Sequence, residues 1–520
     1  MRLFVFAIGG TGSRVLRSLV MQCAAGIVPV DSSTKEPLEN FTLVPIIIDP
    51  HTDNAALQKT NDLLLKYRSI HNDIYGNKGA TEGFYAVRIA SLKDISISDK
   101  SESTVNYKLH EGFFFDMPEI AASEFKNFIG INDPDLDKPA KLFSKMIFSE
   151  EELNTKMSEG FYGSPNIGTI ALNVFQESDS FKALLQNFNE NDRIIFIGSI
   201  FGGTGAAGLP MLASSFRNLK GEYKDFPVAQ MGAIIIMPYF SIAKKEDSEI
   251  QEADFIIKTK SALKYYERDL NPYLNDIFYI ADTQKPLPFE NDPGKGGQNK
   301  NAAHFVEFIG GLAILEFAQK HVDKANETEI EDGRRIVKSD AQRCFEFSLK
   351  DPSNEISFIH LSKDTNDMIS KPMIKWHIFS SFLRDGHFFG SLSHDYAKDT
   401  KLTQSALSND LEQFIDEYRQ WMSEMSSHGD QAHNFIPFER LDNPGKDFTG
   451  IVSQLPMKSG TFNKLSKTKF DKDDIITGLN NQRNSYKDQE SSMTSKLFGM
   501  GNHALDKLID SKFELSNLKK

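Results

Sequence analysis

Seven consecutive residues, Gly202-Gly203-Thr204-Gly205-Ala206-Ala207-Gly208, have the types and spacing that point most directly to chemistry. Four are glycines and one is a threonine, and they sit between the apolar run RIIFIGSI and the helix-like LPMLASSFRNL. The first turn of a helix carries unpaired backbone N–H groups and a partial positive charge. Glycine lets an anion approach that backbone closely. A strand–glycine–helix junction is therefore a phosphate site. Gly9-Gly10-Thr11-Gly12, after RLFVFAI, is a second such junction. Taken alone it is equally a tight turn, or the start of a dinucleotide fingerprint with Val15 in place of the third glycine. Several junctions on one sheet edge can hold a polyphosphate without any lysine.

Strand-like and helix-like runs alternate through the first 320 residues, which is what positions such junctions. The apolar, β-branched runs RLFVFAI, FTLVPIII, RIIFIGSI, QMGAIIIMPYF and DIFYIAD read as strands. Helices are expected from about Ser13 to Cys23 and over DNAALQKTNDLLLKY, LPMLASSFRNL and DFIIKTKSALKYYERDL. Near-continuous apolar strands between helices belong to a parallel sheet covered on both faces. The expected fold is α/β: a doubly wound parallel sheet forming a nucleotide-binding domain over 1–302, with an insertion at about 76–159 that is rich in Ser, Asp, Glu and Phe. HFVEFIGGLAILEFAQ is apolar almost all round and predicts a buried central connecting helix at 303–320. CFEFSL and EISFIHLS predict strands of a smaller α+β second domain at 321–400. A helical C-terminal region at 401–520 follows. Its helix near Ser405–Met425 carries Leu407, Leu411, Phe414, Ile415, Tyr418 and Met422 on one face, and its last part reads as a loosely packed polar tail.

Composition excludes several classes. The chain is 40% hydrophobic and 25% charged, with a net charge of −13 and no dense Lys/Arg block, which argues against nucleic acid as a partner. Cys23 and Cys344 are far apart, so neither a disulfide framework nor a cysteine-ligated zinc site is expected, and a reducing cytoplasm suits them. No apolar run approaches the roughly 20 residues that span a bilayer. MRLFVFAIGG is too short in its apolar part for a signal peptide and reads as a first strand. There is no GxxxxGK[ST], HExxH or GxSxG. His428 and His433 near Asp430 read as a polar loop, not a metal site.

SIFGGTGAAGLP resembles the signature loop of the tubulin/FtsZ superfamily, departing from it at Phe201 and Ala207. Other segments resemble the family in chain order: HTDNAAL (His51–Leu57), the glycine loop Gly160–Gly168, IIIMPYF and NDIFYIADT. The resemblance is to a divergent bacterial tubulin-like protein. It implies GTP or GDP with Mg²⁺ as cofactors. It implies phosphate binding by Gly9, Gly10, Thr11, Gly12, Gly163, Ser164, Gly168, Gly202, Gly203, Thr204, Gly205 and Ala206. Thr204 would serve the terminal phosphates, and Asp53 would lie near Mg²⁺ through water. As a purely structural residue Asp53 would cap the following helix. The family reads guanine with an asparagine where this chain has Asp282; a carboxylate can still accept from guanine N1–H and the 2-amino group. Asn299 and Asn301 are further candidates for the base edge.

Family hydrolysis is completed in trans by an acidic loop after the central helix. KHVDKANETEIEDGRR lacks that pattern, leaving only Asp323 and Glu327 as catalytic candidates. GTP hydrolysis is therefore expected to be slow or to need another partner. Nucleotide state would control self-association or binding of a protein partner, in membrane remodelling or defence against phage. Two other classes compete. An NAD-dependent oxidoreductase would use Gly10-x-Gly12 with Asp49, but has no use for the Gly202 loop. A scaffold with a degenerate site would bind no nucleotide.

Overall fold

The computed structural model describes residues 1–51, 54–98, 107–109, 111–116, 124–157, 161, 164–221, 223–242, 252–282, 287–289, 302–319, 327–349, 366–385, 409–426, 448, 457–458, 469–486 and 492–513. Seven parallel strands form its central sheet: β1 (Arg2–Ile8), β2 (Thr42–Ile48), β3 (Arg88–Ile89), β4 (Arg193–Ser199), β5 (Gln230–Ile236), β6 (Asp276–Asp282) and β7 (Arg343–Leu349). Their spatial order is β7-β6-β5-β4-β1-β2-β3. All residues of β2, β4 and β5 are buried, as expected for strands covered on both faces.

The chain reverses direction across the sheet between β1 and β4. From β1 it moves one way, to β2 and β3; from β4 it moves the other way, to β5, β6 and β7. Right-handed crossovers then put helix α1 (Gly9–Ala24) and helix α4 (Gly203–Arg217) on opposite faces. α1 packs with α2 (Ala55–Tyr75) and with the central helix α6 (Phe305–Gln319); α4 packs with α3 (Pro165–Leu172) and α5 (Glu252–Asp269). The apolar composition of α6 buries it as expected. Gly310 lets it approach Val15, and Gln22 donates to the Phe308 carbonyl at 2.7 Å.

Three expectations need correction. CFEFSL does not belong to a separate domain: it is β7, the edge strand paired in parallel with β6, so the central sheet extends beyond residue 302. Arg88–Ile89, expected within the insertion, is β3 of the same sheet. The described part of the final segment is no loose tail. α9 (Lys472–Tyr486) and α10 (Met493–Lys512) pack together, and α10 packs on α2 and on α7 (Lys371–Asp385). Leu497, Phe498, Leu505 and Ile509 are buried at helical spacing inside a sequence that is otherwise polar. EISFIHLS lies outside the described residues, as does the loop with His428, Asp430 and His433.

The expected helix near Ser405–Met425 is α8 (Asn409–Ser426), with Leu411, Phe414, Ile415, Tyr418 and Met422 buried; Leu407 lies outside the described residues. It is tied to α1 by Arg17–Glu424 at 3.3 Å and by Trp421 Nε1 donating to Ser18 Oγ at 3.3 Å. Trp376 of α7 meets Tyr85 edge-on at 5.1 Å, and Tyr85 meets Phe414 at 5.2 Å, so the C-terminal helices share the core of the sheet domain. Among the described residues no helix is long and apolar enough to cross a membrane.

Candidate functional site

The strand register brings the glycine junctions together. Ile8 pairs with Ile48 and Ala7 with Ile197, so β1, β2 and β4 end at the same level, at the point where the strand order reverses. In open parallel sheets that crevice, outside the carboxyl ends of the strands, is where ligands bind. α1 begins at Gly9 itself, earlier than the sequence suggests, and α4 begins at Gly203. Gly9 has φ +74°, which favours glycine, and a β-carbon placed on it would lie 3.4 Å from both Gly205 N and Thr204 Cβ. Gly205 sits against the end of β4, where a β-carbon would be 2.8 Å from Ser199 N. α3 closes the third side: a β-carbon on Gly168 would be 3.3 Å from Gly203 O and 2.7 Å from Ala207 Cβ. The segments around Gly9–Gly12, Ser164–Gly168 and Gly202–Ala206 are therefore one site in space.

Their helix ends share an electrostatic feature. α1, α3 and α4 start after Ile8, Ser164 and Gly202, and none of these donates or accepts a side-chain capping bond. Several helices elsewhere are capped, among them α2 by Asn54, Lys138–Ile147 by Asp137, Asp179–Asn187 by Ser178 and α10 by Ser492. The cap of α2 is thus Asn54, not Asp53. Three N-termini without side-chain caps, converging on one crevice, leave backbone N–H groups and helix dipoles for an anion. A β-carbon on Gly10 would meet nothing within 4 Å, so the crevice is open there, and Gly10 and Thr11 are only half-buried.

Asp49 directly follows β2 at the same crevice, with Oδ2 3.9 Å from where a Gly9 β-carbon would stand. Its Oδ1 accepts the His51 N–H at 2.8 Å. Burial outweighs that bond and pushes the carboxyl up to about 7. A cation or additional donors in the crevice would favour its charged form.

A second polar cluster adjoins the junctions at the start of α6. Arg14, one turn into α1, pairs with Glu307 at 2.6 Å and donates to the Ala302 carbonyl at 2.5 Å. The Tyr239 hydroxyl, just past β5, donates to the same Glu307 oxygen at 2.9 Å. Burial alone would lower the Arg14 pKa, but Glu307 and Tyr239 raise it, which keeps the guanidinium charged. His304 packs on Tyr239 with ring centroids 4.8 Å apart. Its Nδ1 accepts the Val306 N–H at 3.1 Å, so the neutral ring carries its proton on Nε2, 3.6 Å from Asp282 Oδ2. Asp282, proposed to read the base, is thus held against His304 with its carboxylate buried.

Other expected site residues fall elsewhere. Asp53, Gly163, Asn299, Asn301 and Asp323 lie outside the described residues. Glu327 accepts from Gln230 at 2.8 Å and from Asn275 at 2.7 Å. Those partners mark the starts of β5 and β6, the edge of the sheet opposite the glycine junctions, so within one chain Glu327 is a structural acid. Among the described residues no group of three His, Cys, Asp or Glu side chains is placed to hold a metal ion.

Arg14, Tyr239, His304 and Glu307 escaped the sequence reading. Arg14 follows the first glycine junction by two residues, and Glu307 and His304 are the polar exceptions at the start of an apolar helix. A charged residue inside an otherwise apolar helix was the available signal, because it requires a buried partner. In comparisons with known proteins, no family model matches the chain and no curated protein matches it.

Proposed function

We propose that this chain binds a guanine nucleotide, GTP or GDP with Mg²⁺, as a divergent member of the tubulin/FtsZ superfamily, and that nucleotide state governs its self-association or its binding of a protein partner. The observation that carries this reading is the meeting of three glycine-rich helix N-termini without side-chain caps at the reversal point of a parallel sheet. Their backbone amides would hold the phosphates, with Thr204 adding its hydroxyl. Mg²⁺ would be held mainly by the phosphates and water, as is usual for that ion. Asp49 is an acid at that crevice, and Asp53 follows it by four positions in the sequence. Bound Mg²⁺ would neutralise phosphate charge and favour the ionised form of Asp49. In this reading Asp282 and His304 would contact the base, and the Arg14–Glu307 pair would brace that wall.

A second reading, dinucleotide binding, draws on Asp49 at the end of β2, where a ribose-binding acid is found in that fold. The Gly202 junction favours the first reading. Calorimetry with GTP, GDP, ATP and NAD⁺ in Mg²⁺ buffer tests both. Micromolar GTP or GDP binding, weakened in Thr204→Ala at an unchanged melting temperature, supports the proposal. Binding of NAD⁺ but not GTP would transfer the site to the second reading, and no binding of any of them would remove both.

A further inference from the structure

Among the described residues nine large apolar side chains are exposed, and four of them lie on one short helix, Lys138–Ile147. Leu142 is 63% exposed, Phe143 63%, Met146 77% and Ile147 51%. The helix has no buried residue and is held by local signals: Asp137 accepts the Ala140 N–H at 2.7 Å, and a proline follows at the first turn. Helical spacing puts Leu142, Phe143, Met146 and Ile147 on one side and Lys138, Lys141 and Lys145 together beside them. Exposed apolar residues scattered singly are ordinary; four on one face mark an interaction surface.

The same chain carries an apolar groove lined by other elements. Its volume is about 440 Å³, and Ile27, Val30, Phe278, Leu312, Phe345 and Met368 line it, between α6, the β6–β7 edge and the turn Asn366–Ser370. Glu316 and Glu346 stand exposed on its rim, with Lys35 also there.

We propose that helix Lys138–Ile147 of one copy docks in this groove on a second copy. The apolar face enters the groove in the manner of an amphipathic helix in a hydrophobic cleft. Charge is complementary in both senses: Lys138, Lys141 and Lys145 answer Glu316 and Glu346, and the acidic turn Glu150–Glu152 answers Lys35. An anionic membrane is the poorer occupant, because Asp133, Asp135, Asp137, Glu150, Glu151 and Glu152 flank the helix and would be repelled by it. The two docking surfaces differ, so a single contact is heterologous and leaves one free surface on each copy for further association or ring closure. One ten-residue helix buries less than the roughly 1,200 Å² of a stable interface. The contact is therefore weak alone and grows with concentration. It rests on these two surfaces and not on nucleotide binding.

Sedimentation velocity of the full chain without nucleotide, over a wide concentration range, tests it. The wild type is expected to associate progressively. Phe143→Asp with Met146→Asp should stay monomeric, and so should Glu316→Lys with Glu346→Lys; all four positions are exposed, so both variants keep the fold. Mixing these two variants should give a one-to-one dimer and nothing larger, because each retains one intact surface. Adding Lys138→Glu and Lys145→Glu to the Glu316→Lys, Glu346→Lys variant should restore association. A wild type that remains monomeric throughout, or a helix variant that associates like wild type, overturns the proposal. So does wild type pelleting with phosphatidylserine vesicles, lost in the helix variant, without self-association.

Discussion

Arg14 Nε donates to Glu307 Oε1 at 2.6 Å, joining the helix that begins at the first glycine junction to the central helix. Both side chains are nearly buried, at 12% and 3% exposure. A buried pair contributes little net stability, because desolvation offsets its attraction, but removing one partner leaves an uncompensated charge. Glu307→Ala is expected to destabilise the protein by about 3–5 kcal/mol. The double replacement Arg14→Met with Glu307→Leu should cost much less. Urea unfolding of the single and double variants gives the comparison; a double variant as unstable as Glu307→Ala would show that packing, not charge, dominates there.

Two neighbouring glycines separate ligand effects from folding effects. A β-carbon at Gly10 meets nothing within 4 Å, whereas at Gly12 it would lie 2.7 Å from the Ile197 carbonyl oxygen. Gly10→Ala should leave the melting temperature nearly unchanged while weakening nucleotide binding, since the methyl projects into the open crevice. Gly12→Ala should cost about 1–3 kcal/mol of stability through overpacking. Thermal melts and calorimetry on the same two preparations check this, and a Gly10→Ala protein with unaltered binding would take that crevice out of the site.

The parallel sheet and its glycine junctions were legible because both signals are local. Apolar β-branched runs such as RIIFIGSI announce buried strands, and glycines directly after them announce the turns. CFEFSL was legible as a strand but not as a member of the central sheet, since partner choice depends on non-local pairing with Asp276–Asp282. The Asp332-Gly333 turn of the hairpin Thr328–Glu331 and Arg334–Val337 carried a readable signal, Asp-Gly between strand-like runs. α10 was hidden because its buried Leu497, Phe498, Leu505 and Ile509 are diluted by polar neighbours, and average polarity concealed their period. The Arg14–Glu307–Tyr239 cluster unites residues 68 and 293 positions apart, and nothing in their local sequence specifies the pairing.

Asp49 gives the protein a specific pH dependence. Burial raises its pKa from 3.8 to about 7. Between those values the folded state holds a proton that the unfolded state has lost, so stability falls as pH rises through that window. At 1.36 kcal/mol per unit the whole effect is at most ~4 kcal/mol. Asp49→Asn should therefore melt at a less pH-dependent temperature than wild type between acid and neutral pH, with its largest gain above neutrality. Parallel calorimetric scans of the two proteins measure this, and superimposable pH profiles would show that Asp49 is solvated at no cost.

Arg217 is fully buried and its guanidinium is satisfied by carbonyl oxygens rather than by a carboxylate. It donates to Tyr273 O at 3.0 and 2.8 Å, to Pro227 O at 2.9 Å, to Ala229 O at 2.8 Å and to Asn275 Oδ1 at 2.9 Å. Burial lowers its pKa to about 9, still leaving it charged near neutral pH. The planar fork spans acceptors on two segments and ties the end of α4 to the starts of β5 and β6. A lysine ammonium offers three donors from one atom and cannot reach all of them. Each buried acceptor left unpaired costs roughly 1–3 kcal/mol. Arg217→Lys is thus expected to lower stability by several kcal/mol despite keeping the charge, and urea midpoints measure it. A loss below about 1 kcal/mol would mean that water replaces the guanidinium bonds, as ordered waters can in a polar cavity.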